Sequence, residues 1–280
     1  FTILMKHSIL FFLSFLFIIN VNAQQDSIVA KKQVYKKINP WVTYPIIGVG
    51  LVTNYFGIQF LKSKPGIDPA LLTTYGPEDV NAFDRGATRQ HTADKAYRDM
   101  KISDWLLNGS FVLPLALLAD KNIKSDALKV GVILLESSAI MANAYSWGVG
   151  HVNRIRPYVF NPQEDPLRRI RRGSFNSFYG GHAAASAMAT FFAVKVYHDY
   201  NPGSKLTPWL YGVALIPPAA VAYFRYTSGM HFPSDLIVGI AAGAFIGTIV
   251  PHLHKAKNNG LSIYPVIGPG NGIGMTYQFK

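Results

Sequence analysis

Residues 225–250 read RYTSGMHFPSDLIVGIAAGAFIGTIV. They begin as a polar loop that holds Arg225, His231 and Asp235, and they continue as an apolar run rich in glycine and alanine. Pro233 is typical of the first position of a helix, so the run predicts a helix over Ser234–Val250. Small residues along such a helix let a neighbouring backbone approach closely, which predicts a packed helical bundle.

Five further apolar segments have the length of helices, and together with Ser234–Val250 they predict an all-α fold, a six-helix bundle. These segments are Thr43–Leu61, Trp105–Ala119, Ala127–Trp147, His182–Tyr197 and Pro208–Phe224. Near the end of the chain, two short β-like runs flank the turn sequence GPGNG, which predicts a hairpin-like tail. Between the first two helices lies a charged stretch, Lys62–Asp104, in which residues 87–100 fit an amphipathic helix that could cover a site.

The first 23 residues have the features of an export signal. Lys6 and His7 follow Met5, an apolar run comes next, and small residues end at Ala23, so we expect a start at Met5 and cleavage before Gln24. An uncleaved anchor helix is the alternative. The predicted organisation is therefore a signal peptide (1–23), a flank with the first helix and the cap-like stretch (24–104), a helical catalytic core (105–254) and the hairpin tail (255–280).

Export predicts a periplasmic or membrane-associated protein, but the segments leave open whether the helices cross a bilayer. Several are only about 15 to 19 residues long, at or below the length that a membrane span needs. Glu136 and Lys195 also lie inside two of them, where a charge exposed to lipid is costly. A soluble or peripheral bundle is therefore a second possibility.

Charge and cysteine content restrict the classes of function. The formal net charge is +12, which favours an anionic partner such as a phosphate ester, an anionic lipid or a nucleic acid. We expect no nucleic-acid partner, because the basic residues do not form one aromatic-laced stripe and no known module is present. There is no cysteine, which excludes disulfides, thiol nucleophiles and cysteine-ligated metals.

Two motifs at helix ends contain residues that suit an anion. Arg156, beside Pro157, offers a planar fork of donors for a phosphate, although an Arg-Pro pair alone also fits a solvated turn. Gly180 and Gly181 lead into a helix opened by His182. Paired glycines let backbone N–H groups approach an anion at a helix N-terminus, and histidine can supply a proton. A tight turn followed by a capping histidine is the alternative.

The third motif, residues 225–235, is the most specific. His231 lies six residues after Arg225, and Asp235 lies four residues after His231, in the first turn of the last helix. We expect the Asp235 carboxylate to hold the His231 ring so that its other nitrogen acts as a nucleophile or a base. In an alternating bundle all three motifs fall at the same end, which predicts a single site.

These motifs resemble the type 2 phosphatidic acid phosphatase (PAP2) superfamily, which also includes bacterial class A acid phosphatases and vanadium haloperoxidases. The family pattern is K-x6-R-P, then P-S-G-H, then S-R-x5-H-x3-D, and the resemblance covers roughly Ala127–Val250. The resemblance implies a six-helix core and no metal or other cofactor for a phosphatase. It also implies a role for each matching residue: Arg156 and Arg225 bind the phosphate, Gly181 donates its N–H, His182 is the general acid, His231 is the nucleophile and Asp235 orients it.

The sequence departs from the family pattern at three places. Val149 stands where the family has lysine, Tyr179-Gly180 replaces Pro-Ser, and Phe224 replaces the serine before the second arginine. Two phosphate donors are thereby lost. Arg154 is the candidate to replace the lysine, because alternate residues of an extended segment share a face with Arg156. A solvated surface position for Arg154 is the alternative.

The resemblance implies a phosphatase that acts on phosphomonoesters or diphosphates, either lipid phosphates or phosphorylated small molecules, through a phosphohistidine. Two alternatives remain: a family member that binds phosphorylated lipid without turnover, and a vanadium haloperoxidase, since vanadate mimics phosphate. A cluster of arginines at positions 168, 169, 171 and 172 could bind anionic lipid or a polyphosphate, or form a solvated loop.

Overall fold

The computed structural model describes residues 33–89, 92–256, 261–266 and 272–277, and the signal-like segment 1–23 lies outside them. The compact unit Val34–Lys280 is mainly helical. In chain order its helices are α1 (Pro40–Ser63), α2 (Ala93–Ser110), α3 (Val112–Ala116), α4 (Lys121–Ser125), α5 (Ala127–His151), α6 (Pro166–Arg169), α7 (Gly181–Tyr200), α8 (Thr207–Val213), α9 (Ile216–Thr227) and α10 (Pro233–His254). Short 3-10 turns lie at Pro69–Thr74, Pro77–Asp79, Arg85–Thr88, Leu117–Ala119 and Pro157–Phe160.

Helix α7 occupies the centre of the bundle. It packs against α2, α5 and α9, and most extensively against α10. Glycines of α10 make that contact close, because a Cβ on Gly243 would collide with the Ala184 carbonyl and one on Gly247 with the Met188 carbonyl. The predicted role of small residues in close helix packing is confirmed, and it brings the N-termini of α7 and α10 side by side.

The prediction of six helices is wrong in number, because proline divides two of the predicted segments and the described residues contain two further short helices, α4 and α6. Predicted helix Trp105–Ala119 is split: α2 already begins at Ala93, ends at Ser110, and is followed by the short α3. Pro114 would clash with the Ser110 carbonyl in a continuous helix. The segment Pro208–Phe224 breaks between α8 and α9 in the same way, since Pro217 cannot bond to the Val213 carbonyl.

Within the described residues, four stretches are long and apolar enough to cross a membrane: α1, α5, α10 and Ala93–Ala119, with lengths of 24, 25, 22 and 27 residues. These stretches are longer than the segments predicted from the sequence, so helix length does not argue against their crossing a membrane. The argument from internal charge also fails, because Glu136 accepts a hydrogen bond from His254 at 2.9 Å and Lys195 pairs with Asp199. Much of α1 presents apolar side chains outward, Trp41 among them. These features support membrane association.

The chain ends in two strands, β1 (Leu261–Val266) and β2 (Gly272–Tyr277). They pair antiparallel, with Leu261 opposite Tyr277 and Val266 opposite Gly272. The two predicted β-like runs therefore form strands, while residues 267–271, which carry most of the predicted turn, lie outside the described residues.

Candidate active site

The three motif segments are joined to one another through backbone hydrogen bonds. The Ser177 N–H, just before the second motif, donates to the carbonyl of Arg154 in the first motif at 3.0 Å. The Gly180 N–H of the second motif donates to the carbonyl of Asp235 in the third, also at 3.0 Å. The structure thus brings together the helix ends that the sequence placed on one side of the bundle.

His231 is buried, and only one of its two ring nitrogens is engaged. Nδ1 donates to the backbone carbonyl of Ser177 at 2.6 Å, and since a carbonyl can only accept, this bond fixes the proton on Nδ1. Among the described residues, Nε2 has no hydrogen-bond partner. Burial, together with the positive charges of Arg156 and Arg225, holds the pKa of His231 well below its usual value. The imidazole is therefore neutral, with an unprotonated Nε2.

The expected contact between Asp235 and the His231 ring is absent from the described structure. The Asp235 carboxylate instead accepts hydrogen bonds from the backbone N–H of Phe232 at 2.9 Å and from the Ser177 hydroxyl at 2.6 Å. The physical reason is its place in the first turn of α10, where an acidic side chain turns back to cap the helix N-terminus. Ser177 thus links the two side chains, because its hydroxyl binds the Asp235 carboxylate and its backbone carbonyl binds the His231 ring.

Arg154 neither faces the anion site with Arg156 nor lies free on the surface. Its guanidinium pairs with Asp235, donates to Asp84 at 2.7 Å and to the Ser234 hydroxyl at 2.9 Å, and stacks on the Phe232 ring. Its donors therefore engage two carboxylates that are almost fully buried. The contacts contradict the expectation that Arg154 shares one anion with Arg156.

Asp84 belongs to the charged stretch Lys62–Asp104 and binds the start of α10. It accepts from the Ser234 N–H at 3.1 Å and from the Ser234 hydroxyl at 2.7 Å. Burial acts to raise the pKa of Asp84, but the hydrogen bonds from Asn81, Ser234 and Arg154 outweigh it and hold that pKa below the usual value. An ionised carboxylate therefore links this stretch to the candidate site.

A second carboxylate from the same stretch, Asp104, connects Arg225 with His182. Asp104 pairs with the Arg225 guanidinium and lies 3.2 Å from Nε2 of His182. Burial and the nearby Arg225 lower the pKa of His182 to about 4, although Asp104 acts to raise it. His182 is thus neutral near pH 7 in the ligand-free site, and its protonation depends on the surrounding charges.

The two arginines of the motifs are buried with donors still available. Arg225 is 2% exposed, and its Nε has no hydrogen-bond partner among the described residues. Burial lowers the pKa of Arg225 to about 10, so it remains charged at neutral pH. Arg156 donates from Nε to the Gly173 carbonyl at 3.0 Å.

Both arginines influence the pKa of His231 and of His182, so the four predicted side chains lie close together. A buried unpaired donor among two positive charges suits an anion.

Gly181 is the first residue of α7, where backbone N–H groups have no partner within the helix. A Cβ at Gly181 would collide with the ring of Tyr145, so glycine is required there. Tyr145 acts to raise the pKa of both Arg156 and Arg225, and among the described residues its hydroxyl has no hydrogen-bond partner. Tyr145 lies one helical turn before Val149, the position of the missing lysine, and therefore on the same face of α5.

Sequence reasoning missed Ser177, Asp104, Asp84 and Tyr145 as members of the site. Ser177 acts through its backbone carbonyl, which no residue type reveals. Asp84 and Asp104 reach the site from a stretch that the sequence identified only as a possible cap. For Tyr145 a signal existed, since its hydroxyl is one turn from the departure at Val149.

Part of this chain is similar to a known protein family. Residues 126–259 match the family model described as the PAP2 superfamily. The crystal structure of a transmembrane PAP2-type phosphatidylglycerolphosphate phosphatase from Bacillus subtilis is similar, with a TM-score of 0.43 and 16% identity, over 76% of this chain and 96% of that chain. No curated protein matches the sequence.

Proposed function

We propose that this chain, whose residues 126–259 match the family model of the PAP2 superfamily, is a membrane-associated phosphatase that hydrolyses phosphate esters or diphosphates of lipids. The observation that carries the proposal is the grouping of a neutral His231 with Arg156, Arg225 and His182 in one buried cluster. Such a cluster combines a nucleophile, two cationic ligands for a phosphoryl group and a proton donor.

In the first step we propose that Nε2 of His231 attacks phosphorus, forming a P–N bond while the bond from phosphorus to the leaving oxygen breaks. Burial and the two arginines keep the ring neutral, and the Nδ1–H bond to Ser177 places its single proton on Nδ1 and holds the ring in place. Arg156, Arg225 and the Gly181 N–H stabilise the negative charge on the phosphoryl oxygens. His182 gives its proton to the leaving oxygen.

In the second step water attacks the phosphohistidine and His182 takes a proton from that water, which regenerates Nε2. His182 must therefore be protonated at the start of the cycle. A bound phosphate raises its pKa from the low value of the ligand-free site, because a nearby negative charge favours the imidazolium form. Asp104 assists in the same direction and is placed to position both His182 and Arg225.

The lost lysine is replaced in this proposal by Tyr145. The Val149 side chain is fully buried, and the Val149 backbone carbonyl accepts a hydrogen bond from Lys64 Nζ at 2.6 Å. Arg154, the other candidate, is paired with two carboxylates. The Tyr145 hydroxyl has no hydrogen-bond partner among the described residues and its ring adjoins Gly181, so these contacts support a neutral donor in place of a cation.

Hydrolysis is tested by phosphate release from a panel of lipid monophosphates, lipid diphosphates and soluble phosphate esters, using the full chain in detergent. Release that requires His231 supports the proposal. Binding of lipid phosphate without release would instead favour a non-catalytic family member.

We keep the location outside the cytoplasm as part of the proposal, resting on the signal-like residues 1–23. A reporter that works only after export, fused behind Lys280, tests the location of the C-terminus. A reporter active only in the cytoplasm would contradict export of that end of the chain.

A further inference from the structure

Helix α2 contains a sharp boundary between a charged and an apolar sequence. Residues 94–101 include five charged side chains, whereas residues 102–119 include one, Asp104, which pairs with Arg225 in the candidate site. The stretch Ala93–Ala119 is also long and apolar enough to cross a membrane. Charged side chains are costly in hydrocarbon, so in a membrane-associated chain this boundary places Lys101 at the level of the lipid headgroups.

One face of α2 points away from the bundle at this boundary. Tyr97, Lys101 and Trp105 follow one another at intervals of four residues and therefore share a face of the helix. All three are exposed, Tyr97 by 56% and Trp105 by 76%. The Lys101 Nζ lies 4.6 Å from the centre of the Tyr97 ring. Exposed tyrosine and tryptophan beside a basic residue are typical of a surface that meets lipid headgroups.

A cleft of about 360 Å³ separates this face from the segment that contains α6. Tyr97 and Met100 line the cleft on the α2 side, and Leu167, Arg168 and Arg171 line it on the other side. Leu167 is 74% exposed. A large apolar side chain next to basic ones is unfavourable in water, but it suits the boundary where headgroups give way to acyl chains.

The cleft contains a cation that the protein leaves available. Arg168 pairs with Glu164, whereas Arg171 is exposed and, in the part of the chain that the structure describes, forms no ion pair with a carboxylate. Asp165 also lines the cleft, but its carboxylate caps α6 by accepting from the Leu167 N–H at 2.9 Å. The charge of Arg171 is therefore complementary to an anion that enters from the side of α2.

From these observations we propose that the cleft binds the headgroup of an anionic membrane phospholipid, such as phosphatidylserine. Arg171 and Lys101 would contact the charged headgroup, and Trp105 would lie beside the acyl chains. The lipid is a bound partner and not a substrate, because the lining of the cleft does not include His231. The proposal goes beyond the phosphatase function and does not depend on turnover.

Trp105 provides a local probe of this lipid, since it lies about 6 Å farther along the helix axis than Lys101. The chain contains four tryptophans, and Trp41, Trp147 and Trp209 are exposed, so we expect phenylalanine to be tolerated at each. The resulting variant is placed in vesicles of phosphatidylcholine with a minor fraction of phosphatidylserine. Bromine, which quenches tryptophan fluorescence, is carried on the acyl chains of either the phosphatidylserine or an equal amount of the phosphatidylcholine.

Brominated phosphatidylserine should occupy the site beside Trp105 at least about fivefold more strongly than brominated phosphatidylcholine, the factor expected for one basic side chain at an anionic surface. In the same background, Arg171→Gln and Lys101→Gln should each lower this preference by about fivefold. Arg171→Lys keeps the charge and should retain most of the preference. Equal quenching by the two brominated lipids would overturn the proposal.

Lys205→Gln is the matched control, because it removes an exposed charge between α7 and α8, at the end of α7 that lies away from His182. It should leave the preference at Trp105 unchanged, and a loss equal to that of Arg171→Gln would show a general charge effect and refute the site. Native mass spectrometry of the chain with all four tryptophans, titrated with each lipid in detergent, makes the same comparison if the single-tryptophan variant does not fold. Neither measurement uses phosphate release, so a negative result leaves the phosphatase proposal untouched.

Discussion

The ring of His231 is held by the backbone carbonyl of Ser177, at 2.6 Å from Nδ1, and no carboxylate in the described part of the chain bonds to it. A carbonyl fixes the tautomer without adding a negative charge beside the ring. Burial, together with the positive charges of Arg156 and Arg225, keeps the imidazole neutral. This geometry favours a nucleophilic role for Nε2.

We expect His231→Ala to lower kcat by several orders of magnitude, as loss of a nucleophile does in other covalent enzymes. Brief reaction with radiolabelled substrate should label the wild-type chain with acid-labile phosphate and leave the variant unlabelled. His252→Ala, at an exposed histidine near the end of α10, is the control and should retain both turnover and label. Substantial turnover by His231→Ala would contradict the mechanism.

Ser177→Ala tests whether Asp235 acts on His231 through the Ser177 hydroxyl. The change keeps the carbonyl that binds His231 but removes the 2.6 Å bond to Asp235, which leaves a buried carboxylate with one donor fewer. We expect a loss of about 1 to 3 kcal/mol in the free energy of unfolding. We also expect kcat to fall while KM stays nearly constant, because the nucleophile is misplaced and the phosphate ligands are not.

The double variant Ser177→Ala/Asp235→Asn provides the control for this link. If Asp235 acts through Ser177, the two changes should be strongly non-additive in kcat. Additive effects, or a wild-type kcat for Ser177→Ala, would favour a separate role for Asp235.

Asp104→Asn should change the pH dependence of the reaction. Asp104 raises the pKa of His182, so its neutralisation lowers that pKa below about 4. A smaller fraction of His182 is then protonated at any given pH, and the limb on which kcat/KM falls with rising pH should move to lower pH. Asp94→Asn, at an exposed carboxylate in the first turn of α2, should leave the profile unchanged. An unshifted limb in Asp104→Asn would remove Asp104 from the acid–base chemistry.

Some of the contacts behind these predictions could be inferred from the sequence, and others could not. The residue spacing around His182 and His231 was sufficient to predict that both histidines lie near each other. His182 is in the first turn of α7, His231 comes just before α10, and these two helices pack against each other. The partner of His231 was not predictable, since a backbone carbonyl has no sequence signature. Asp104 was missed because a contact with Arg225, so far along the chain, depends on how α2 packs against α9. The number of helices was wrong where Pro114 and Pro217 outweighed apolar continuity.

Arg154→Ala should reduce stability more than it reduces phosphate binding. The change leaves Asp84 and Asp235 buried without their shared cation, which should cost about 3 kcal/mol in the free energy of unfolding, the lower end for a broken buried pair. Thermal and denaturant unfolding measure this loss, and orthophosphate affinity at a temperature where both proteins are folded should be nearly unchanged. Arg154→Lys, which keeps the charge, should recover part of the stability. A large loss of phosphate affinity with unchanged stability would restore Arg154 as the substitute for the lysine.

Tyr145→Phe tests the replacement of the lysine directly, because it removes one hydroxyl and keeps the ring that packs on Gly181. We expect kcat/KM to fall by about tenfold to a hundredfold, between the loss of an ordinary hydrogen bond and the loss of a full oxyanion donor. Orthophosphate or vanadate affinity should fall with it, which separates a phosphate donor from a group that acts only on the leaving oxygen.

Tyr223→Phe, at an exposed tyrosine of α9, makes the same chemical change outside the cluster and should have no effect. The free energy of unfolding should be nearly equal for both variants, since the Tyr145 hydroxyl has no partner to lose among the described residues. If Tyr145→Phe keeps wild-type kcat/KM and phosphate affinity, the site works with two arginines and backbone N–H groups alone, and the lysine has no substitute.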